Sequence, residues 1–168
     1  CLALVLMALV TLLFHAEDLL ALALDLLDRD TTLTGRTAMW AALWPLIEAQ
    51  FWLGNGYMAF WDHAPEYFGA ASWMARFVHA HNTYVQLLLD LGAAGLASLL
   101  LLLLTIARGL LQHARHGDAD ALTLLGLLLT LAFIGLAGDI FLRPNTGHWI
   151  MLVAIALYAS DPPPKAPA

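Results

Sequence analysis

The sequence predicts an all-α integral membrane protein, and three observations lead to this fold class. Of its 168 residues, 61% are hydrophobic and only 12% are charged, about half the ~25% charge of an ordinary soluble domain. The mean hydropathy of +0.76 comes from long uncharged runs, which are typical of membrane-spanning helices. The net charge is −6, and the basic residues are scattered singly, a pattern that argues against nucleic-acid binding.

Apolar windows locate the predicted spans. No Asp, Glu, Lys or Arg occurs in residues 1–16, 91–107, 121–138 or 144–160. Because a helix needs about 20 residues to cross ~30 Å of hydrocarbon, flanking residues must contribute. We therefore predict a single membrane domain over residues 1–160, with spans near 1–15, 82–107, 119–139 and 146–160. The last window is strictly apolar only over 149–159, so a re-entrant or interfacial segment is the alternative there.

The two ends of the chain are also interpreted from the sequence. The chain opens without Met, already inside an apolar run, and it lacks the charged region of a signal peptide. We therefore expect it to be a C-terminal fragment of a longer protein. The Pro-rich residues 161–168 are predicted to be a disordered tail.

A long segment, 16–80, separates the first two predicted spans. Residues 16–30 combine leucines with carboxylates, which favours a helix lying at the membrane interface. Thr34 is then expected to cap a helix that runs to about Gln50 and bends at Pro45. The remainder is predicted to be a turn at 53–56 followed by an irregular, aromatic-rich loop over 57–80.

Basic residues near the spans predict an orientation. The connection 108–118 contains Arg108 and Arg115, and Lys165 follows the last span. Cytoplasmic segments carry an excess of such residues, so the loop 16–80 is predicted to be extracytoplasmic. Arg143 lies on the opposite side from the one that this rule favours.

The loop 16–80 is unusually rich in aromatic residues. Eleven of the chain's 17 aromatic residues lie between Trp40 and Phe77. They fit an interfacial belt, in which amphipathic rings lie at the level of the lipid headgroups. They also fit a platform for sugar rings and a lipid, and the two interpretations are compatible.

Arg36 is the basic residue of this loop whose position is informative. It falls in the first turn of the helix that Thr34 would cap, where unpaired backbone N–H groups already favour an anion. A guanidinium there would complete a phosphate site. The alternative is a surface ion pair with Asp28 or Asp30.

His79 and His81 precede the second predicted span. On a helix, two residues that are two apart point about 200° away from each other, and no third ligand has informative spacing, so metal binding is disfavoured. If the helix were continuous from His81, Gly92 and Gly95 would share its face, while Thr83, Gln86 and Asp90 would gather on the opposite side. A hydrogen-bonded structural histidine is the alternative to a functional one.

Three motifs carry a resemblance to a known family. They are Thr32-Leu-Thr-Gly-Arg-Thr-Ala-Met-Trp40, Trp52-Leu-Gly-Asn-Gly-Tyr-Met-Ala-Phe-Trp61 and His79-Ala-His-Asn-Thr-Tyr84. Nine residues, 83–91, separate Asn82 from Gly92-Ala-Ala-Gly95. In order and spacing these motifs resemble the O-antigen ligase and polymerase superfamily, over roughly residues 30–107.

The resemblance implies the C-terminal part of a multi-spanning helical bundle of the GT-C type with a large extracytoplasmic helical loop. It implies a metal-independent inverting glycosyltransferase at the outer face of the bacterial inner membrane, without a cofactor. Its partners would be the lipid bilayer, a glycan linked to undecaprenyl pyrophosphate, and an acceptor that is either another glycan or lipid A-core. Ligase and polymerase activities are both open, and the fragment is expected to be inactive alone.

The resemblance also assigns residues. Arg36 takes the place of the family's loop arginine that contacts pyrophosphate, and His81 that of its essential histidine, as a general base or as a group that orients the acceptor. Asn82, Arg76 and Arg143 are candidate accessory residues. Two other classes are alternatives: a polysaccharide flippase or transporter subunit, which would need paired polar residues in several spans, and a non-catalytic membrane scaffold.

Overall fold

The computed structural model describes residues 35–141, 143 and 146–163. These residues form helices and no strands. The α-helices are α1 (Arg36–Ala49), α2 (Ala64–Phe68), α3 (Thr83–Arg115), α4 (Ala119–Ile134) and α5 (Gly147–Ser160), and two 3₁₀ segments lie at Phe60–His63 and Trp73–Arg76. The predicted span 1–15, the interfacial helix 16–30, the cap at Thr34 and most of the predicted tail lie outside the described residues.

The chain divides into two compact units, residues 1–39 and 40–168, and the boundary falls within α1. In the first unit the described residues are the beginning of α1, where the amide of Met39 donates to the carbonyl of Gly35 at 3.0 Å. In the second unit α1 continues through Pro45 to Ala49. The helix therefore ends one residue before its predicted end at about Gln50.

The segment 57–80 is more regular than the sequence suggested. It contains the two 3₁₀ segments and α2 rather than an irregular loop. Phe60 is buried and forms the centre of an aromatic cluster, stacked on Tyr67 at 5.3 Å between ring centroids and edge-on to Trp61 and Phe68. Part of the aromatic density thus forms a small core, whereas Trp52 and Trp73 are exposed.

Helices α3, α4 and α5 pack around one apolar core. Leu87, Leu99 and Ile106 of α3 meet Leu128 and Leu131 of α4 and residues of α5 there. Gly109 allows close contact between α3 and α5, because a Cβ at this position would lie 2.3 Å from the carbonyl oxygen of Ala159.

The helix ends differ from the predicted spans. α3 continues to Arg115, so the connection between α3 and α4 is only 116–118 instead of 108–118. Arg108 and Arg115 are exposed on the helix, which explains why a charge-free window underestimates its length. α4 ends at Ile134, five residues before the predicted 139, because the backbone at Gly135 and Gly138 bonds to the start of α3 instead of continuing the helix.

One helix of the described residues, Thr83–Arg115, is long and apolar enough to cross a membrane. α4 and α5 are apolar but shorter. Large apolar side chains are exposed on all three helices, among them Leu101, Leu129 and Leu157. A wide apolar surface of this kind is normally covered by lipid or protein, and it is consistent with a membrane helical protein.

A break at Gly92 divides α3. Gly92 has φ 63° and ψ −162°, a conformation outside the helical region. The helical hydrogen bonds of Ala93 and Ala94 are replaced: their amides donate to the carbonyls of Phe51 and Trp52 at 2.7 and 3.2 Å. In return, the carbonyls of Leu89 and Asp90 accept from the amides of Asn55 and Gly56, each at 2.9 Å. The segment 51–56 therefore completes the broken helix.

Candidate functional site

His81 lies immediately before α3, in a backbone conformation that few residues adopt. Its φ is 53°, in the left-handed region that costs free energy for a residue with a side chain. Its amide donates to Nδ1 of His79 at 3.2 Å, and the two rings are 3.9 Å apart. The ring of Phe77 contacts His81 edge-on at 5.8 Å.

These contacts correct the predicted arrangement of the histidines. His79 and His81 precede α3, so the helical angle of about 200° does not apply and their rings are neighbours. The expected common face of His81 with Gly92 and Gly95 is also wrong, since the helix starts after His81 and is broken at Gly92. Among the described residues, no three His, Cys, Asp or Glu side chains form a group that could hold a metal ion.

Asn82 caps α3. Its side-chain oxygen accepts hydrogen bonds from the amides of Tyr84 and Val85 at 2.9 and 3.1 Å. An Asn at this position satisfies backbone donors that the first turn leaves unpaired. The buried Asn82 therefore fixes the point where α3 begins, directly after His81.

Gln86 connects the histidine segment to the rest of the site. Its side-chain Oε1 accepts from the amide of Ala80 at 2.7 Å and from the indole N–H of Trp61 at 3.0 Å. On the other side, the indole N–H of Trp40 donates to the carbonyl of Ala80 at 2.8 Å. Both polar backbone groups of Ala80 are thus held by side chains, and Ala80 is the residue before His81.

Asp90 links this network to the segment that completes the broken helix. Its Oδ1 accepts from Gln86 Nε2 at 2.9 Å, and its Oδ2 accepts from the amide of Met58 at 3.3 Å. Thr83, Gln86 and Asp90 are all buried, so the polar stripe that the sequence indicated exists and points inward. The sequence did not identify Gln86 as a functional residue, because its contacts lie 6 to 25 positions away along the chain.

The connection between α4 and α5 brings a second charged group to this region. Thr83 holds the connection, since its hydroxyl donates to the carbonyl of Gly138 at 2.8 Å and accepts from the amide of Ile140 at 2.9 Å. Asp139 lies between these two residues and pairs with Arg143, whose Nε is 2.9 Å from Asp139 Oδ2. Both line a cavity together with Gln86 and Asp90.

Two further predicted site residues are Arg36, in unit 1–39, and Arg76, in unit 40–168. Arg36 is the first residue of α1 and is half-buried. Arg76 is exposed at the end of the second 3₁₀ segment. In unit 40–168 the structure therefore places Asn82 beside His81, places Arg143 with Asp90, and leaves Arg76 at the surface.

Comparisons with known proteins agree with the three sequence motifs. The sequence model of the O-antigen ligase family matches residues 1–100. The exopolysaccharide production protein ExoQ of Rhizobium meliloti (strain 1021) is 29% identical over 143 residues, covering 77% of this chain and 32% of ExoQ. The chain thus spans about a third of the length of this relative. No solved structure matches. The chain belongs to the O-antigen ligase family.

Proposed function

We propose that this chain forms part of a bacterial membrane glycosyltransferase that transfers or polymerises glycan carried on undecaprenyl pyrophosphate. The name of the relative ExoQ, an exopolysaccharide production protein, favours exopolysaccharide over lipopolysaccharide as the product. The donor would be the lipid-linked glycan and the acceptor a second glycan, with lipid A-core as the acceptor in a ligase. The reaction would take place at the outer face of the inner membrane.

The observation that best supports this proposal is the way the backbone of the histidine segment is held. Trp40 and Gln86 bond both polar backbone groups of Ala80, and Asn82 fixes the start of the following helix. His81 lies between them with a φ of 53°. Strained conformations of this kind persist only where the surroundings over-determine them, and they cluster at active sites.

The proposed reaction is a direct displacement at the anomeric carbon. A hydroxyl of the acceptor attacks this carbon, the new C–O bond forms, and the bond to the pyrophosphate breaks with its electron pair leaving on the phosphate oxygen. His81 either receives the proton of the hydroxyl or orients the hydroxyl; an imidazole suits both roles near neutral pH. A single displacement of this type inverts the anomeric configuration.

Arg36 is proposed to hold the pyrophosphate leaving group. A guanidinium offers a planar pair of donors that matches two phosphate oxygens. Its position in the first turn of α1 adds the positive end of the helix dipole. Charge stabilisation by arginine would make a metal ion unnecessary. The GT-C type of bundle and the four membrane spans within residues 1–160 belong to the same proposal.

A transfer assay tests the proposal directly. Membranes containing the full-length protein, of which this chain is proposed to be a part, are mixed with radiolabelled lipid-linked glycan, and the products are separated by size and by lipid content. Growth of the glycan while it remains lipid-linked indicates a polymerase, and transfer to lipid A-core indicates a ligase. Movement of intact donor across the membrane without any new glycosidic bond would instead support the flippase alternative. The absence of both activities would support the non-catalytic scaffold.

The orientation has its own test. Cysteine in place of the exposed Pro65 should react with a membrane-impermeant thiol reagent in intact spheroplasts, because the loop 16–80 is proposed to be extracytoplasmic. Cysteine in place of Ala114, near the end of α3, should react only after lysis. The opposite labelling pattern would reverse the proposed orientation.

A further inference from the structure

A small cavity that is lined in part by charged and polar side chains lies next to the network of Gln86 and Asp90. Its wall includes residues of the segment 57–61, the first half of α3 and the connection between α4 and α5. The lining residues with polar groups or aromatic rings are Tyr57, Trp61, Gln86, Asp90, Asp139 and Arg143. The proposed transfer reaction assigns roles to His81 and Arg36, neither of which lines this cavity.

Asp139 is the residue that points to a ligand. Its side chain is only 7% exposed, and Oδ2 is bonded to Arg143. Its other oxygen, Oδ1, is buried and has no hydrogen-bond partner among the residues that the structure describes. An unsatisfied buried acceptor is costly, and such groups in native proteins call for an explanation. A ligand that donates a hydrogen bond to Oδ1 would provide one.

The lining restricts the chemistry of this ligand. The oxygens of Asp90 each accept one hydrogen bond within the protein, and a carboxylate oxygen has room for a second. The cavity therefore presents two carboxylates to a ligand with O–H or N–H donors.

The size of the cavity narrows the choice further. Its volume is about 30 Å³, and one water needs ~10–15 Å³. A whole sugar ring does not fit, but two neighbouring hydroxyl groups do. Tyr57, which is 44% exposed, offers an aromatic surface at the cavity, and aromatic rings beside hydroxyl-binding carboxylates suit a sugar.

We propose that this cavity is a subsite for a pair of adjacent hydroxyl groups on one sugar ring of the glycan. The ring stays outside, and its hydroxyl groups donate to Asp139 Oδ1 and to Asp90. Arg143 keeps Asp139 in place through its bond to Oδ2. The subsite rests on the proposed glycosyl transfer, and its ring belongs to either the donor or the acceptor glycan.

The experiment combines a change in the glycan with a change in the protein. Periodate cleaves the C–C bond between two adjacent hydroxyl groups. Donor glycan and acceptor glycan are therefore oxidised with periodate in separate preparations, and each oxidised product is then reduced. Transfer by membranes containing the protein is measured with each. With the wild-type protein, oxidation of the glycan that occupies the subsite should raise KM at least about tenfold, since the site loses hydrogen bonds to buried acceptors.

The variant Asp139→Asn should raise KM for the intact glycan by a similar factor and should no longer distinguish intact from oxidised glycan. The matched control is Asp62→Asn, the same change at an exposed carboxylate next to Trp61. Asp62→Asn should retain the wild-type difference in KM between intact and oxidised glycan. If the variant loses the KM difference between intact and oxidised donor, the sugar belongs to the donor glycan. If it loses the difference between intact and oxidised acceptor, the sugar belongs to the acceptor glycan. Asp90→Asn serves as the second variant if Asp139→Asn fails to reach the membrane.

Two results overturn the subsite. Transfer that is equally sensitive to oxidation in wild type and in Asp139→Asn shows that the cavity binds water only. Transfer that is insensitive to oxidation of both glycans shows that no hydroxyl pair is recognised. The absence of any transfer by the full-length wild-type protein, which contains this chain, is a different result, and it rejects the proposed function together with the subsite.

Discussion

The backbone of Gly54 lies directly against that of Asp90. A Cβ at position 54 would be 2.4 Å from the carbonyl carbon of Asp90, and the amides that follow Gly54 donate to the carbonyls of Leu89 and Asp90. The contact requires a glycine for two separate reasons, its φ of 67° and the lack of space.

Gly54→Ala should therefore destabilise the protein more than a positive φ alone explains. Gly69→Ala is the matched control, because Gly69 has a φ of 80° but no atom within 4 Å of a Cβ. We expect Gly54→Ala to cost about 1–3 kcal/mol more than Gly69→Ala, the range for overpacking a well-filled site. Thermal unfolding of the two variants in detergent measures the difference. Equal losses of stability in Gly54→Ala and Gly69→Ala would mean that segment 51–56 can move away from α3.

Gln86 is expected to act as a positioning residue. Gln86→Met keeps the approximate volume but leaves the amide of Ala80 and the indole N–H of Trp61 without their shared acceptor. We expect kcat to fall about 10–100-fold, because misplacing a reacting group by about 1 Å can cost that much. The pH profile should keep its shape, since His81 is still present.

Two variants separate positioning by Gln86 from general stability. Gln112→Met makes the same change at an exposed position of α3 and should have no effect. Trp61→Phe removes only the indole donor and leaves the bond to Ala80, so its effect on kcat should be smaller. A larger loss of activity in Trp61→Phe than in Gln86→Met would contradict the role of Ala80.

His81→Asn tests the chemistry of the histidine without disturbing its backbone. Asn tolerates a positive φ better than most residues, so the variant should fold and insert. Transfer should nevertheless fall by about 10²–10⁴ if His81 is a general base. Wild-type activity should then rise with pH as the imidazole loses its proton, and the variant should lack this step. His148→Asn, at an exposed position of α5, is the control.

Arg36→Lys tests the leaving-group site. An ammonium keeps the charge but cannot form two parallel bonds to phosphate, so most transfer activity should be lost while the amount of protein in the membrane stays the same. Arg115→Lys, an exposed arginine at the end of α3, should remain active. Normal transfer by Arg36→Lys would favour the surface ion pair that the sequence left open.

Asp118 should make stability depend on pH. The hydroxyl of Tyr158, together with the imidazole of His113, holds the pKa of Asp118 below its ordinary value of 3.8. Because the folded-state pKa is lowered, the contribution to stability is complete above that ordinary value and is lost as pH falls through the lowered pKa.

Tyr158→Phe removes the main cause of this shift. Its melting temperature should be below that of the wild type at pH 7, and the gap should narrow at a pH below 3.8. Tyr67→Phe, at an exposed tyrosine, should show no such dependence. A gap that is constant with pH would show that the hydroxyl acts through packing and not through the charge of Asp118.

The sequence was informative where a feature depends on local composition. Charge-free windows led to helices at α3, α4 and α5, because apolar runs of that length exclude most other structures. The polar stripe of Thr83, Gln86 and Asp90 also followed from helical spacing, since no break separates these three residues.

Features that depend on distant partners could not be read from the sequence. The break at Gly92 is stabilised by the segment 51–56, and spacing alone gives no sign of this pairing. The same is true of Gln86, which was recognised as inward-facing but not as the acceptor for Ala80 and Trp61. The neighbouring rings of His79 and His81 follow from a left-handed backbone at His81, which helical geometry does not anticipate.

The break at Gly92 also changes how α3 would sit in a bilayer. At ~1.5 Å per residue, residues 93–115 extend about 35 Å, enough to cross the ~30 Å hydrocarbon layer without the first half of the helix. Residues 83–91 would then lie among the lipid headgroups and water. Gln86 and Asp90 would avoid the cost of a polar group in hydrocarbon, and a water-soluble glycan could reach His81 without entering the membrane.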